Sequence, residues 1–533
     1  MAARTFLLVT VLGAALCGAA SAQTILHTYT ESETGARAGT SVAIWDDVNG
    51  DGLRDWVVGV PLGDGVGVNS GRVLVFSGLD NSILNTIQGT QANAGFGQAV
   101  ENVGDLNGDG FEELAVGAHL EDKVYVFSGA SGALLWAVQD LAVGGFGWSL
   151  SSAGDVNGDG VPDIVVGSSP NHSPGGVTAL SGDTGVQIFQ IAAGGTDVEG
   201  IGDVNGDGFD DVVVGSGYPY SGGSARVIGG PSGAVIYQVP YSWMSTFGYA
   251  VAGLGDIDDD GVTDFAVGDP NEFYITGGSG TVHAYSGATG SLIWSSSALG
   301  WEFGAALANA GDVDRDGYDD LIVGDGVAHR VYVFSVKRQV ELFQQYVDPI
   351  NHFGTSVAGG HDIDGDGWLD FIGGGAVTIF GWSPHEPTGA VLFTHGCWPD
   401  AVYNYCTAVA NSTGQRAKMH WQNSTSIANN NFRLSAEKCP PNKPGLFFYG
   451  TRQVQLPIGE GHLCTTGSLQ RLHVVNTGPT GTPSHTLDFT NPPNPSGQIF
   501  AGDTWHFSFW FRDPVGGPVG FNFADGLRAT FCP

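Results

Sequence analysis

Short apolar runs alternate with glycine-rich polar turns along the chain, and an apolar period of 3.6 is almost never sustained. Runs such as "WVVGVP", "LAVGAH", "IVVGSS", "VVVGSG" and "LIVGDG" read as short apolar strands ending in Gly. Others, such as "KVYVFSG" and "ALLWAVQ", read as further strands joined by Gly-rich turns. The elements recur in a fixed order. A Phe-Gly pair opens most units: "FGQAV" at Phe96, "FGWSL" at Phe146, "FGYAV" at Phe247, "FGAAL" at Phe303 and "FGTSV" at Phe353. An acidic loop follows, then the apolar strand, a variable loop and two more strands. The first unit starts "AGTSV" at Ala38, and the fourth lacks the pair, reading "TDVEGIGD".

Seven such units, about 50 residues apart, each offer four strands. Four-stranded units repeated four to eight times make a β-propeller, in which neighbours cover the faces that one unit cannot bury alone. The expected fold is therefore all-β, with a seven-bladed β-propeller over 23–383. Ring closure needs a strand from outside the repeats. "TILHTYT" (Thr24–Thr30) resembles an outer blade strand and is expected to complete the seventh blade behind "AVTIFGW". "GAVLFTH" (Gly389–His395) is the alternative for the same slot.

The repeats stop after Trp382. Residues 384–396 read as a linker. In 397–533 the alternating stretches "GLFFYGT", "LQRLHVV", "HTLDFT" and "WHFSFWF", separated by Pro and Gly, predict a smaller β-sandwich-like domain. All cysteines but Cys17 fall there: Cys397, Cys406, Cys439, Cys464 and Cys532. Five thiols leave one unpaired and many pairings open, so this domain is expected to contain disulfides.

Composition narrows the partners. The 533 residues carry a formal charge of −35, which disfavours nucleic acid, since phosphate binding needs Lys and Arg. The N-terminus has a signal-peptide pattern: Arg4, an apolar stretch from Phe6 to Leu16, and Ala20-Ser21-Ala22 before Gln23. Residues 1–22 are thus expected to direct secretion, giving an extracellular, cell-surface or periplasmic protein. The apolar stretch is too short to span a membrane, and no transmembrane segment is expected. Secretion also permits the disulfides.

The acids are concentrated in the repeated loop. Its ligand-type positions 1, 3, 5 and 9 are Asp47, Asn49, Asp51 and Asp55; Asp105, Asn107, Asp109 and Glu113; Asp155, Asn157, Asp159 and Asp163; and Asp203, Asn205, Asp207 and Asp211. The last three loops carry Asp256, Asp258, Asp260 and Asp264; Asp312, Asp314, Asp316 and Asp320; and Asp362, Asp364, Asp366 and Asp370. Position 6 is always Gly, where a sharp turn needs positive φ. An all-oxygen set without His or Cys suits Ca²⁺ rather than a transition metal. It is not an EF-hand, because position 12 is apolar in most copies and already lies in a strand. Up to seven structural Ca²⁺ are expected, moving the formal charge from −35 to −21. Without cations, three or four carboxylates in each loop repel one another.

The Phe-Gly start, the D-x-[DN]-x-D-G-x-x-D loop and the "VGAP"-like strand resemble the FG-GAP repeats of integrin α-subunit propellers and their bacterial relatives. The match covers about residues 24–383. The resemblance implies a structural calcium ion in the loop between blade strands 1 and 2, on the face away from ligand-binding loops. There is no D-x-S-x-S motif, and the spacing leaves no room for an inserted domain between repeats 2 and 3. The C-terminal stretches resemble a module that recurs in secreted bacterial proteins.

Loops after strands 2 and 4 of each blade should share the face opposite the acidic loops. Tyr218, Tyr220, Trp243, Phe273, Tyr274 and Trp301 lie in them and are candidates to contact an extracellular protein or glycan ligand, since exposed aromatics stack on sugars or anchor partners. No G-x-S-x-G, H-E-x-x-H or phosphate-binding glycine loop occurs. The expected function is a secreted calcium-binding adhesion or ligand-binding protein, with a propeller-based polysaccharide lyase or hydrolase as the alternative.

Overall fold

The computed structural model describes residues 24–531 except 143, 170–175, 193, 218–222, 240–244, 271–278, 299–301, 348–349, 351, 366, 376–387, 395–401, 423–426, 428–429, 493–494, 501–502 and 518. Among the described residues every regular element is a strand apart from one 3-10 turn, Pro495–Gly497. Contacts divide the chain into two compact units, Gln23–His395 and Gly396–Pro533.

Among the described residues the first unit contains seven four-stranded sheets, one for each repeat. In the second, Phe96–Asn102, Leu114–Ala118, Lys123–Phe127 and Leu134–Gln139 lie antiparallel in chain order. The opening strand of each sheet touches that of the next, and Val42–Ile44 of the first touches Phe353–His361 of the last. The succession therefore closes on itself, as a propeller requires.

The repeat signature has a packing explanation. The Phe of the pair is buried: Phe146, Phe303 and Phe353 are fully inaccessible. Removing such a ring from water contributes roughly 1.5–3 kcal/mol. The Gly after it has positive φ (Gly97, 90°), and its carbonyl presses on the Gly ending the apolar strand of the preceding sheet. A Cβ on Gly59 would lie 2.1 Å from the Gly97 oxygen, and one on Gly117 would lie 2.1 Å from the Gly147 oxygen. The same relation joins Gly374 of the last sheet to Gly39 of the first, at 2.4 Å. Both glycines are thus required by one backbone-to-backbone contact between sheets. In the fourth repeat, where the Phe-Gly pair is missing, Gly195 supplies the contact to Gly167.

The last sheet corrects one boundary. Its order is Thr24–Thr30, Gly389–Thr394, Asp370–Gly375, Phe353–His361. The N-terminal strand is outermost, as expected. "GAVLFT" is not its rival but its neighbour, paired from Thr24↔Thr394 to Thr30↔Gly389. "AVTIFGW" lies outside the described residues. Residues 389–394 are therefore not linker, because Ala390, Val391, Leu392 and Phe393 are fully buried in the sheet.

The second unit has a sheet ordered Val402–Tyr405, Gly526–Thr530, Thr504–Arg512, Pro444–Gly450, Gln470–Asn476, with Phe521–Phe523 pairing Thr504–Arg512. A three-stranded sheet combines Lys418–Gln422, Arg433–Glu437 and Ser484–Thr486. Phe447 and Phe509 of the first share one apolar core with Met419 and Leu434 of the second. Cys406 and Cys464 form a disulfide, and Cys439 is a buried free thiol. Cys397 and Cys532 lie outside the described residues.

Candidate metal centres and an axial cavity

Each acidic loop is folded by its own carboxylates. In the third repeat Asp155 Oδ1 accepts the amides of Gly158 and Asp159 at 2.6 and 3.0 Å, and Oδ2 accepts that of Gly160 at 2.8 Å. Gly160 has φ 87°, which permits the turn at no steric cost. Asp159 accepts the Val161 amide at 2.9 Å. Asp163, at position 9, is fully buried. Its two oxygens accept the amides of Asn157, at 3.1 Å, and Gly182, at 3.2 Å, fastening the loop to the turn after the third strand.

Burial, and then the neighbouring loop carboxylates, push the position-9 acids upward. Asp55, Asp211 and Asp264 reach about 6, Asp163 about 7 and Asp320 about 9; Glu113 is raised for the same reasons. A cation among the oxygens would reverse that shift, because it favours the ionised form.

Position 3 divides the seven loops. In repeats 1–4 it is Asn, and its side-chain amide donates to the position-9 acid: Asn107 to Glu113 at 2.8 Å, Asn157 to Asp163 at 3.1 Å, Asn205 to Asp211 at 3.4 Å, Asn49 to Asp55 at 3.5 Å. In repeats 5–7 it is Asp, which has no such donor. There the structure brings three carboxylates together. Asp256, Asp258 and Asp260 form one group; Asp312, Asp314 and Asp316 a second; Asp362, Asp364 and Asp370 a third. In each group one oxygen per residue lies within 4.8 Å of the others. Asp314 Oδ1 and Asp320 Oδ1 are buried with no hydrogen-bond partner among the described residues. All-oxygen donors with orphaned buried oxygens fit a hard divalent cation. Asp366 lies outside the described residues.

The six candidate aromatics, Tyr218, Tyr220, Trp243, Phe273, Tyr274 and Trp301, all lie outside the described residues. The antiparallel order does place the loops after strands 2 and 4 at the end of each sheet opposite the acidic loops.

The opening strands of all seven sheets line a central cavity of 410 Å³. Gln98, Trp148, Thr196, Tyr249 and Thr355 contribute to its wall, together with Asp197. Asp197 interacts with two further carboxyls, Glu101 and Glu199, which the sequence reading did not single out. Each is only partly exposed and is surrounded by protein, so its solvation is that of confined space. Enclosure pushes Asp197 up to about 7 and Glu199 up to about 8, and raises Glu101 well above the carboxylate range. Asp197 Oδ2 accepts the Val251 amide at 2.9 Å, and Ser151 Oγ donates to Glu199 Oε2 at 2.9 Å. The signal was present in the sequence: "VEN" and "TDVEG" put acids where other repeats have small or apolar residues.

Family models match two segments. Residues 105–166 match an FG-GAP-like repeat, and residues 198–235 an FG-GAP repeat. Integrin alpha-V of Gallus gallus is 32% identical over 299 residues, 54% of this chain and 20% of that protein. Integrin alpha-PS5 of Drosophila melanogaster is 36% identical and integrin alpha-4 of Xenopus laevis 35% identical, each over 115 residues, 20% of this chain. The chain thus spans only 11% to 20% of the length of these relatives. It carries FG-GAP repeats and is similar to integrin α chains over part of its length.

Proposed function

We propose that the chain is a secreted, calcium-binding, seven-bladed β-propeller with a β-sandwich-like C-terminal domain, acting as an extracellular adhesion or ligand-binding module. The observation that carries this reading is the convergence of three loop carboxylates in each of three successive repeats, at positions 1, 3 and 5 in two of them and 1, 3 and 9 in the last. The closed succession of seven sheets and the likeness to integrin α chains support it. Calcium's role is structural. It neutralises the loop and thereby holds the connection between the first two strands of each sheet against the turn after the third. Ligand contact falls to the opposite loops, with Tyr218, Tyr220, Trp243, Phe273, Tyr274 and Trp301 as candidate residues. No helix among the described residues is long and apolar enough to cross a membrane.

The decisive experiment is metal analysis of the dialysed full chain with calorimetric Ca²⁺ titration. Binding of several Ca²⁺, lost together at repeats 5–7 in an Asp258→Ala/Asp314→Ala/Asp364→Ala protein, supports the proposal. Absence of Ca²⁺ binding at millimolar concentration refutes it. Glycan-array and pull-down screening of the same protein then identifies the ligand class. One observation favours the enzymatic alternative: a carboxyl kept protonated near neutral pH, as enclosure makes Glu199, is what a general acid needs. Turnover of a polysaccharide that is abolished by Glu199→Gln would establish that reading instead.

A further inference from the structure

The C-terminal unit differs from the propeller in charge. Residues 396–533 hold nine of the 19 Lys and Arg but only seven of the 54 Asp and Glu, a net charge of +2, against −37 for residues 1–395. The acidic part of the chain repels anions at any distance within the screening length. The C-terminal unit is where an anionic ligand is electrostatically admissible.

That unit contains a cavity of 510 Å³, within the ~300–1,000 Å³ typical of small-molecule sites. It lies where Gln470–Asn476, the edge strand of the larger sheet, meets Ser484–Thr486, the edge strand of the smaller one. Three basic side chains line it: Arg471, His473 and His485. The two imidazoles stand 6.3 Å apart between ring centres. Burial, and then the neighbouring His473, lowers the His485 pKa. Two basic rings therefore face each other with no carboxylate between them. One acid, Asp488, also lines the cavity; its Oδ1 accepts from Asn430 Nδ2 at 3.1 Å, from the Thr490 amide at 3.0 Å and from Thr490 Oγ1 at 2.6 Å, bonds that keep it ionised, so the three basic side chains outnumber a single carboxylate. Arg471 forms no ion pair or side-chain hydrogen bond among the described residues. The floor is apolar, with Leu487 and Phe489 buried against the unit's core.

From this combination we infer that the cavity is a binding site for a carboxylate-bearing sugar, a uronate, with Arg471 as its anchor. A guanidinium fork matches a planar carboxylate with two parallel hydrogen bonds, which a point charge does not do. The imidazoles add donors on the same side. The apolar floor suits one face of a sugar ring. The site is separate from the loops and the axial cavity, so it stands or falls independently of the calcium reading.

The test is calorimetric titration of the full chain, held in saturating Ca²⁺, with digalacturonate. Its methyl ester serves as a neutral probe of the same shape, and sulfate as an inorganic anion. Digalacturonate is expected to bind, the ester at least tenfold more weakly, and sulfate not measurably. Arg471→Ala should weaken digalacturonate at least tenfold. Arg471→Lys, which keeps the charge but loses the fork, should fall between. Arg471 is exposed, so both variants are expected to fold, checked by an unchanged melting curve. Equal binding of the ester, undiminished binding by Arg471→Ala, competition by equimolar sulfate, or no digalacturonate binding at millimolar concentration would each overturn the assignment.

Discussion

Replacing one enclosed carboxyl by its neutral isostere should stabilise the protein, and increasingly so as pH rises from about 4.5 to about 8. Glu199 and Glu101 interact with Asp197, which lines the central cavity, and enclosure is the main cause of all three upward shifts. A carboxyl whose folded pKa exceeds its unfolded value binds more protons when folded. Its contribution is therefore fully present below about pH 4 and is lost as pH rises through the folded value, about 8 for Glu199. Each unit of separation is worth about 1.4 kcal/mol, so the ceiling for Glu199 alone is on the order of 5 kcal/mol. The three carboxyls titrate as a set, and removing one relieves the others. We expect Glu199→Gln to gain about 2–3 kcal/mol at pH 8.5 and less than about 1 kcal/mol at pH 5. Gln keeps an oxygen to accept from Ser151 Oγ, so packing and hydrogen bonding survive. Calorimetric melting of both proteins from pH 5 to 8.5 at fixed Ca²⁺ measures the difference. The loop acids are identical in the two proteins, so their titration cancels. A Tm difference that opens near pH 4.5, grows to several degrees and levels off above about pH 8 is expected. A difference that is constant with pH, or a variant less stable than the parent at pH 8.5, would refute the argument.

Chelation should lower the melting temperature of the propeller. Three sites at about ten times Kd contribute roughly 4 kcal/mol if only the folded state binds, and an unchanged melting curve in excess EGTA would contradict metal in the loops. Repeats 5–7 should bind Ca²⁺ more tightly than repeats 1–4, because their third position is a carboxylate; a titration with one class of equal sites counts against this. Gly117→Ala should destabilise by at least about 2 kcal/mol, since its Cβ would meet the Gly147 carbonyl at 2.1 Å; denaturant melting measures it. Reduction of Cys406–Cys464, which closes 58 residues of chain, should cost the C-terminal unit about 4 kcal/mol. The propeller transition should not move, because residues 23–395 contain no cysteine.

The repeats were legible because every signal in them is local. A positive-φ glycine, a buried Phe and an acid-lined turn act within one unit, and the glycine pair that joins neighbours recurs at fixed spacing in both. The N-terminal strand was also legible, since an outer strand keeps its apolar-polar alternation wherever it joins. The third strand of the last sheet was not. Counting from the acidic loop lands on "AVTIFGW", whereas the strand is "GAVLFT", reached only after residues 376–387. Pattern gives the type of an element but not how long the chain runs before using it. The axial acids show a different limit. Glu101 and Glu199 occupy equivalent positions, four residues before their loops, in sheets 2 and 4. Along the sequence they are isolated acids in separate strands. They become one cluster only because ring closure turns the same edge of every opening strand toward one axis. The Asn-to-Asp change at position 3 was visible from the start, but its consequence depends on position 9 being buried within reach of it. With Asn there, the buried acid already has a side-chain donor. With Asp, it gains another negative charge, which the Arg338 guanidinium paired to Asp314 partly offsets in the sixth repeat and which a bound cation would balance in all three.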